Sequence, residues 1–399
     1  MKPKLKLFLI LLLFTITYSS AQVVIKQIQP SATDLLISTF DTDHYIYLNQ
    51  NVASNNLLLV HLPGSYGKPN KATLFGSHAA NLGFHCIGLS YPNIPTVASI
   101  CSNSPDQSCY ENLRREIITG IDYSEGISVD TTESILNRVK KLLVYLKTNY
   151  SSEDWGQFLD TNNDVIFSKI IFSGHSQGGG HAALIAKDYP IKRALCFSSP
   201  KDYGSFFNAP ASWLHSDNWQ TPGNEIYAFV HTLDFYGRQL KILDSLGLGT
   251  YGLPVNVDNF SSPYNNTLQL ITSYSVTIGN EHGSTISDNK TPMAAGSPVF
   301  LPVWSYMLTN RITTDLRDDF IFGKTNHKVY PNPTNGLLNF RFDVIPKNLE
   351  ISIFTILGER ILTAKNKTEI NLSHLTNGVY FIKINADNKI KTEKIFKTK

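Results

Sequence analysis

Ile170-Ile171-Phe172-Ser173-Gly174-His175-Ser176-Gln177-Gly178-Gly179-Gly180-His181-Ala182 sets an apolar run, a glycine-flanked serine and a train of small residues end to end. The apolar run reads as a buried strand and the small residues as the start of a helix. Between them Ser176 must sit on a sharp turn, where a side chain at either flanking glycine would collide with the neighbouring strand and helix. Outward from this point the pattern repeats. Apolar runs at 57–60, 84–89, 194–198, 226–230 and 268–278 read as strands. Helical spacing is expected over 71–82, over 238–246, over 300–308, and at Ile135, Val139, Leu142, Leu143, Leu146 and Tyr150 after an Asp130/Glu133 capping pair. Strands alternating with helices across 57–308 predict an α/β class with a mainly parallel sheet covered on both faces.

The flanks differ from this centre. Lys2, Lys4 and Lys6, an apolar run over 7–16 and Ser19-Ser20-Ala21 are the three zones of a secretory signal, so residues 1–21 are expected to be removed and the mature chain to begin near Gln22. The run is shorter than the ~20 residues a spanning helix needs, and no integral membrane span is expected after signal removal. The formal net charge of +3 disappears with the signal lysines, which gives a nucleic-acid partner no support. Residues 22–328 then carry 21 basic and 26 acidic side chains, and residues 329–399 carry 11 and 6, the contrast expected of separate domains. After 325, the turn-rich Val329-Tyr330-Pro331-Asn332-Pro333-Thr334-Asn335-Gly336 leads into alternating runs at 338–342, 351–356 and 379–384, which predict a small antiparallel β-sandwich. Cys101 and Cys109 bracket a polar stretch that an oxidising compartment would staple as a disulfide, while Cys86 and Cys196 lie in apolar runs and read as core.

A serine hydroxyl near neutral pH needs a histidine to take its proton and an acid to orient that histidine. In this strand-turn-helix setting they follow in the order serine, acid, histidine, each past a strand. Asp234 and His282 fit, so Ser176, Asp234 and His282 are the expected catalytic residues, with Asp202 and Asp258 as competing acids. His231 is expected to pack beside the acid, His215 lies in an irregular insert, and His175 and His181 flank the serine in local roles. An oxyanion would be met by the N–H of Gln177 and by the loop His61-Leu62-Pro63-Gly64-Ser65-Tyr66-Gly67, through Ser65 or Tyr66. Asp160, Asn162 and Asp164 alternate like the start of a calcium loop, but without its glycine and distal glutamate they predict a solvated turn. Arg114, Arg115 and Glu116 either line a pocket or cap a surface helix. The insert over 200–224, with Phe206-Phe207, Trp213 and Trp219, predicts a loop or lid whose aromatics form a substrate wall or core.

The segment 171–182, with His61-Leu62-Pro63-Gly64 upstream, resembles the α/β-hydrolase superfamily over roughly residues 22–310. The resemblance implies a doubly wound sheet of about eight strands within a 22–324 domain and a Ser176-Asp234-His282 triad. It implies no one substrate, since esterases, lipases, thioesterases and peptidases share this fold; taken with the signal and the site residues, the expectation is a secreted serine hydrolase that cleaves ester-type bonds in a small-molecule or glycan substrate. No metal or organic cofactor is required, and a monomer is expected. The oxyanion loop departs from a His-Gly-Gly run. A non-catalytic binding protein on the same scaffold is the alternative. Tyr330-Pro331-Asn332-Pro333, Leu357-Gly358, Leu375-Thr376-Asn377-Gly378-Val379-Tyr380-Phe381-Ile382-Lys383-Ile384 and Lys394-Ile395-Phe396-Lys397 resemble the C-terminal sorting domain of the type IX (Por) secretion system. That resemblance implies a 325–399 domain whose partner is the type IX machinery, and localisation outside, or on the outer-membrane surface of, a Gram-negative cell.

Overall fold

Leu58–Leu62 is apolar enough to be buried along its whole length, and such a strand must lie inside a sheet covered on both faces. The computed structural model describes residues 23–215, 218–234, 236–310, 327–342, 346–356, 358–386 and 389–398, so the expected signal at 1–21 lies outside the described residues. Its main sheet has nine strands: β1 (Val24–Ile28), β2 (His44–Leu48), β3 (Leu58–Leu62), β4 (His85–Gly88), β5 (Ile170–His175), β6 (Arg193–Phe197), β7 (Ile226–His231), β8 (Val255–Asn256) and β9 (Gln269–Thr272). They run in the order β1-β2-β4-β3-β5-β6-β7-β9-β8, with β2 antiparallel to both its neighbours, β1 and β4, and every other pairing parallel. The two-residue edge strand β8 takes the count past the eight that the resemblance implies.

Helix α1 (Thr73–Asn81) carries β3 to β4, and α2 (Cys109–Thr119) and α3 (Ile135–Asn149) lie between β4 and β5. In α3, Ile135, Val139, Leu142, Leu143 and Leu146 are buried at helical spacing while Thr148 faces solvent. Each such aliphatic side chain contributes roughly 1.5–3 kcal/mol by leaving water. The start of α3 differs from expectation. Ser134 caps it by accepting from the Asn137 N–H at 3.3 Å, whereas Asp130 accepts from the Glu133 N–H at 3.0 Å in the turn before it. Glu133 reaches away instead, to the buried Arg138 and to the amides of Ser38 and Thr39. Helix α4 (Gln177–Asp188) packs on α2 and on both β5 and β6, α5 (Tyr236–Ser245) follows β7, and α6 (Leu301–Thr309) packs on α1. No helix among the described residues is long and apolar enough to cross a membrane.

From β3 the chain goes to β4 on one side and returns to β5 on the other, so the sheet order reverses at β3 and β5. In open α/β sheets the carboxyl ends at such a reversal leave a crevice for ligands. The C-terminal region has its own core. One antiparallel sheet is formed by β10 (His327–Tyr330), β11 (Leu337–Phe342) and β14 (Glu369–Asn371). The other is formed by β12 (Leu349–Thr355), β13 (Arg360–Lys365), β15 (Gly378–Ala386) and β16 (Lys389–Lys397). Leu338, Phe340, Ile351, Ile353, Ile370, Ile382 and Ile384 bring the two sheets into one apolar cluster.

Burial leaves several histidines of the main domain uncharged, His44 and His61 among them. Desolvation, and then the charge of Arg138, pushes His44 down to about 3 from 6.5, and burial alone pushes His61 down to about 3. An unfolded histidine takes a proton below about pH 6.5. Between that value and the folded one the unfolded state binds more protons, so stability falls as the pH falls. Together these groups give a slope of order 2–3 kcal/mol per pH unit. The urea midpoint is expected to drop steadily from pH 7 to pH 5, less steeply in His44→Asn; equal slopes in the two proteins would refute the assignment.

Candidate active site

The glycines around Ser176 are there because nothing larger fits. A Cβ at Gly174 would lie 2.1 Å from the carbonyl carbon of Gly178, and one at Gly178 would lie 2.1 Å from the Leu62 oxygen. With both absent, β5 turns straight into α4, and Ser176 takes φ 54° and ψ −117°, a left-handed conformation that costs a serine about 1–3 kcal/mol. The turn is held by the Ser176 N–H donating to Phe197 O at 2.9 Å and by Ser199 Oγ donating to Ser176 O at 2.8 Å. Thus the serine is fixed at the carboxyl edge of the sheet, at the N-terminus of a helix whose first amides have no partner within the helix.

Asp234 is set by the turn after β7. Its N–H donates to His231 O at 3.0 Å, while His231 Nδ1 accepts from the Leu233 N–H at 3.1 Å and Nε2 donates to Tyr274 O at 3.0 Å. His231 therefore ties the acid's turn to the chain beyond β9. There the one-turn helix Glu281–Ser284 presents His282, whose Nδ1 lies 2.6 Å from Asp234 Oδ2. Burial works to raise the Asp234 pKa, but the hydrogen bond and charge of His282, and then Lys201 at 3.8 Å from Oδ1, outweigh it and hold the carboxyl below its ordinary value. An ionised Asp234 can only accept, so His282 Nδ1 carries the proton and Nε2 keeps its lone pair free to accept one.

His175 locates the histidine against the serine. Its Nε2 donates to the His282 carbonyl at 2.8 Å, and the two rings lie 4.7 Å apart. Desolvation, and then the neighbouring His282, pushes His175 down to about 3, so it stays neutral beside its partner. Ser176 Oγ itself makes no hydrogen bond to His282 among the described residues. The structure brings Asp234 and His282 into contact and sets the residue before Ser176 against His282, while the serine-to-histidine bond is not made. Such bonds are commonly long before substrate arrives.

The loop after β3 closes the other side. A Cβ at Gly64 would lie 3.1 Å from the Ser176 Cβ, so glycine is what lets this loop reach the serine. Tyr91 donates to Pro63 O at 2.7 Å, and Asn93 Nδ2 donates to both Gly64 O and Gly67 O at 2.9 Å. Ser65 Oγ donates to Gln177 Oε1 at 2.8 Å, which leaves that hydroxyl engaged; the amides of Ser65 and Gln177 have no acceptor among the described residues. Tyr66, the other expected donor, stands 69% exposed.

The remaining residues separate clearly. Asp202 is bound on both oxygens by Arg114, through Nε at 2.7 Å and Nη2 at 2.5 Å, and accepts from Trp213 Nε1 at 2.9 Å. Arg114 also donates to Gln177 O at 2.9 Å, so this pair braces the first turn of α4 and has no histidine partner. Asp258 accepts from Thr272 Oγ1 and the Ser273 N–H beyond β9. His215 is exposed; His181 is buried against Tyr91. Asp160 Oδ1 accepts from the amides of Asn162 and Asp164, which is a solvated turn. Arg115 pairs with Asp188 and Glu111, and Glu116 accepts amides of the following loop. Sequence reading left Arg114 open and missed its partner, because an ion pair 88 residues apart has no local signature.

Beside Ser176 opens a cleft of about 300 Å³, walled by Thr96, Val97 and Ala98 on one side and by Lys201, Tyr203 and Arg238 on another. Cys101 and Cys109 are disulfide-bonded at the back of the first wall, and Ser205 N–H donates to Ser102 O across to the hairpin that carries Phe206 and Phe207. Trp213 is buried with the core, so the insert supplies packing as well as surface. Removing Asp202 leaves a buried guanidinium unpaired, a loss of about 3–5 kcal/mol for such groups. Asp202→Ala is expected to lower the unfolding free energy by that amount in urea titration, and a change below about 1 kcal/mol would show that the pair is not structural.

Residues 328–398 match the family of secretion system C-terminal sorting domains. A tail of this family engages the type IX secretion machinery and directs export to the cell surface or beyond. No curated protein matches the chain.

Proposed function

We propose that the main domain is an α/β-hydrolase acting as a secreted serine hydrolase on ester-type bonds. The observation that carries this reading is the 2.6 Å Asp234–His282 hydrogen bond standing beside a serine in a strained turn at the sheet's reversal point. Ser176 Oγ attacks the ester carbonyl carbon as His282 Nε2 takes its proton. The oxyanion is met by the amides of Gln177 and Ser65, whose N–H groups no acceptor among the described residues occupies. Collapse of the tetrahedral centre breaks the ester C–O bond, and His282 returns the proton to the departing alkoxide. Water then attacks the acyl carbonyl as His282 Nε2 takes its proton; collapse breaks the bond between the acyl carbon and Ser176 Oγ, His282 returns the proton to that oxygen, and the carboxylic acid leaves. Asp234 stays ionised throughout and stabilises the imidazolium that forms at each attack.

The unmade Ser176–His282 bond is the one observation that favours a binding protein on this scaffold. A fluorophosphonate probe separates the two readings, because only an activated serine reacts with it. One phosphonyl group per chain, mapped to the Ser176 peptide by mass spectrometry, is expected. A folded protein that stays unlabelled at high probe concentration belongs to the second reading.

A further inference from the structure

Apart from tyrosine, the ionisable side chains lining the cleft are Arg114, Lys201, Asp202 and Arg238. Asp202 is the single carboxylate of this group, and Arg114 holds both its oxygens. Lys201 approaches Asp234, whose charge is shared with His282. Arg238 differs from all of these. It stands exposed on the first turn of α5, its guanidinium lies over the Tyr203 ring at 4.9 Å, and it forms no ion pair with a carboxylate among the described residues. The next residue, Gln239, is buried and donates from Nε2 to Pro200 O, which anchors α5 to the segment bearing Lys201 and Asp202. The cation is therefore placed by a helix and an aromatic face. A guanidinium seated on a ring keeps its N–H edge for a planar, two-oxygen acceptor.

We propose that this site takes an ester carrying a free carboxylate, which Arg238 binds while Lys201 adds attraction at longer range; this rests on the serine-hydrolase reading above. The cleft is small, so the carboxylate and the scissile ester belong to one compact molecule or one residue of a polymer. A neutral ester of the same shape gains nothing from Arg238.

The test compares matched substrates on the full chain. For the acyl side, 4-nitrophenyl hydrogen adipate is set against its methyl-capped diester. For the alcohol side, 4-acetoxybenzoate is set against methyl 4-acetoxybenzoate. In at least one pair the anion is expected to win by about tenfold or more in kcat/KM, and the advantage should shrink in about 0.5 M NaCl. Arg238→Gln should erase the preference and Arg238→Lys restore part of it. Equal rates within both pairs, or a preference that survives Arg238→Gln, overturn the proposal. Fluorophosphonate labelling of the wild-type chain is run beside these assays. Labelling without charge preference sinks only the carboxylate assignment, whereas absence of labelling removes the hydrolase reading and this inference with it.

Discussion

Replacing Ser176 with alanine will lower ester turnover by roughly 10⁴- to 10⁶-fold, leaving the small residue that binding and oxyanion donors give without a nucleophile. The size follows from the role proposed for the hydroxyl: it forms the acyl bond, and no other cleft hydroxyl sits on the strained turn beside His175. Alanine occupies the same left-handed conformation at no greater steric cost than serine, so the fold should persist, with a thermal midpoint within a few degrees of the parent. Initial rates on the best ester, together with loss of the fluorophosphonate adduct, check it. Turnover that persists within tenfold of the parent would place the chemistry elsewhere.

Asp234→Asn is expected to cost about 10⁴-fold in kcat with the fold intact. Asparagine can offer His282 either an oxygen or an N–H. With the N–H facing Nδ1, the imidazole carries its proton on Nε2 and can no longer accept one from Ser176. Even with the oxygen facing it, the charge that steadies the imidazolium is gone. The same contacts fix how the stability of the fold responds to acid. Because the native carboxyl is held below its ordinary value by His282 and Lys201, the stability it contributes is present above the unfolded aspartate pKa and is lost as the pH falls through the lower, folded one. A variant retaining more than about a tenth of wild-type kcat would show that Asp234 does not orient the base.

Much of this architecture was legible because the signals are local. Ile170–His175 followed by small residues can hardly be anything but a buried strand entering a closely packed helix, and Val139, Leu142, Leu143 and Leu146 mark one helix face on their own. Asp234 and His282 were legible through order and position past their strands, and their contact across 48 residues is what the fold adds. Three things were hidden. The Arg114–Asp202 pair, the grip of His175 on the His282 carbonyl and the placing of Arg238 over Tyr203 all join segments distant in sequence, and none involves a repeating pattern. The start of α3 shows the same limit at short range. Asp130 and Glu133 have the spacing of a capping box, but buried Arg138 draws Glu133 away and Ser134 takes over the cap.

The sulfur staple between Cys101 and Cys109 lies behind one wall of the cleft, and its loop is laced to the hairpin opposite. A bond of this kind forms only where thiols surrender electrons, which is beyond the cytosol in ordinary cells. The chain's working mouth is therefore completed after its synthesis, in the same direction of travel that its carboxyl-terminal tail prescribes, and the compartment where it is made receives it with that mouth still unbraced.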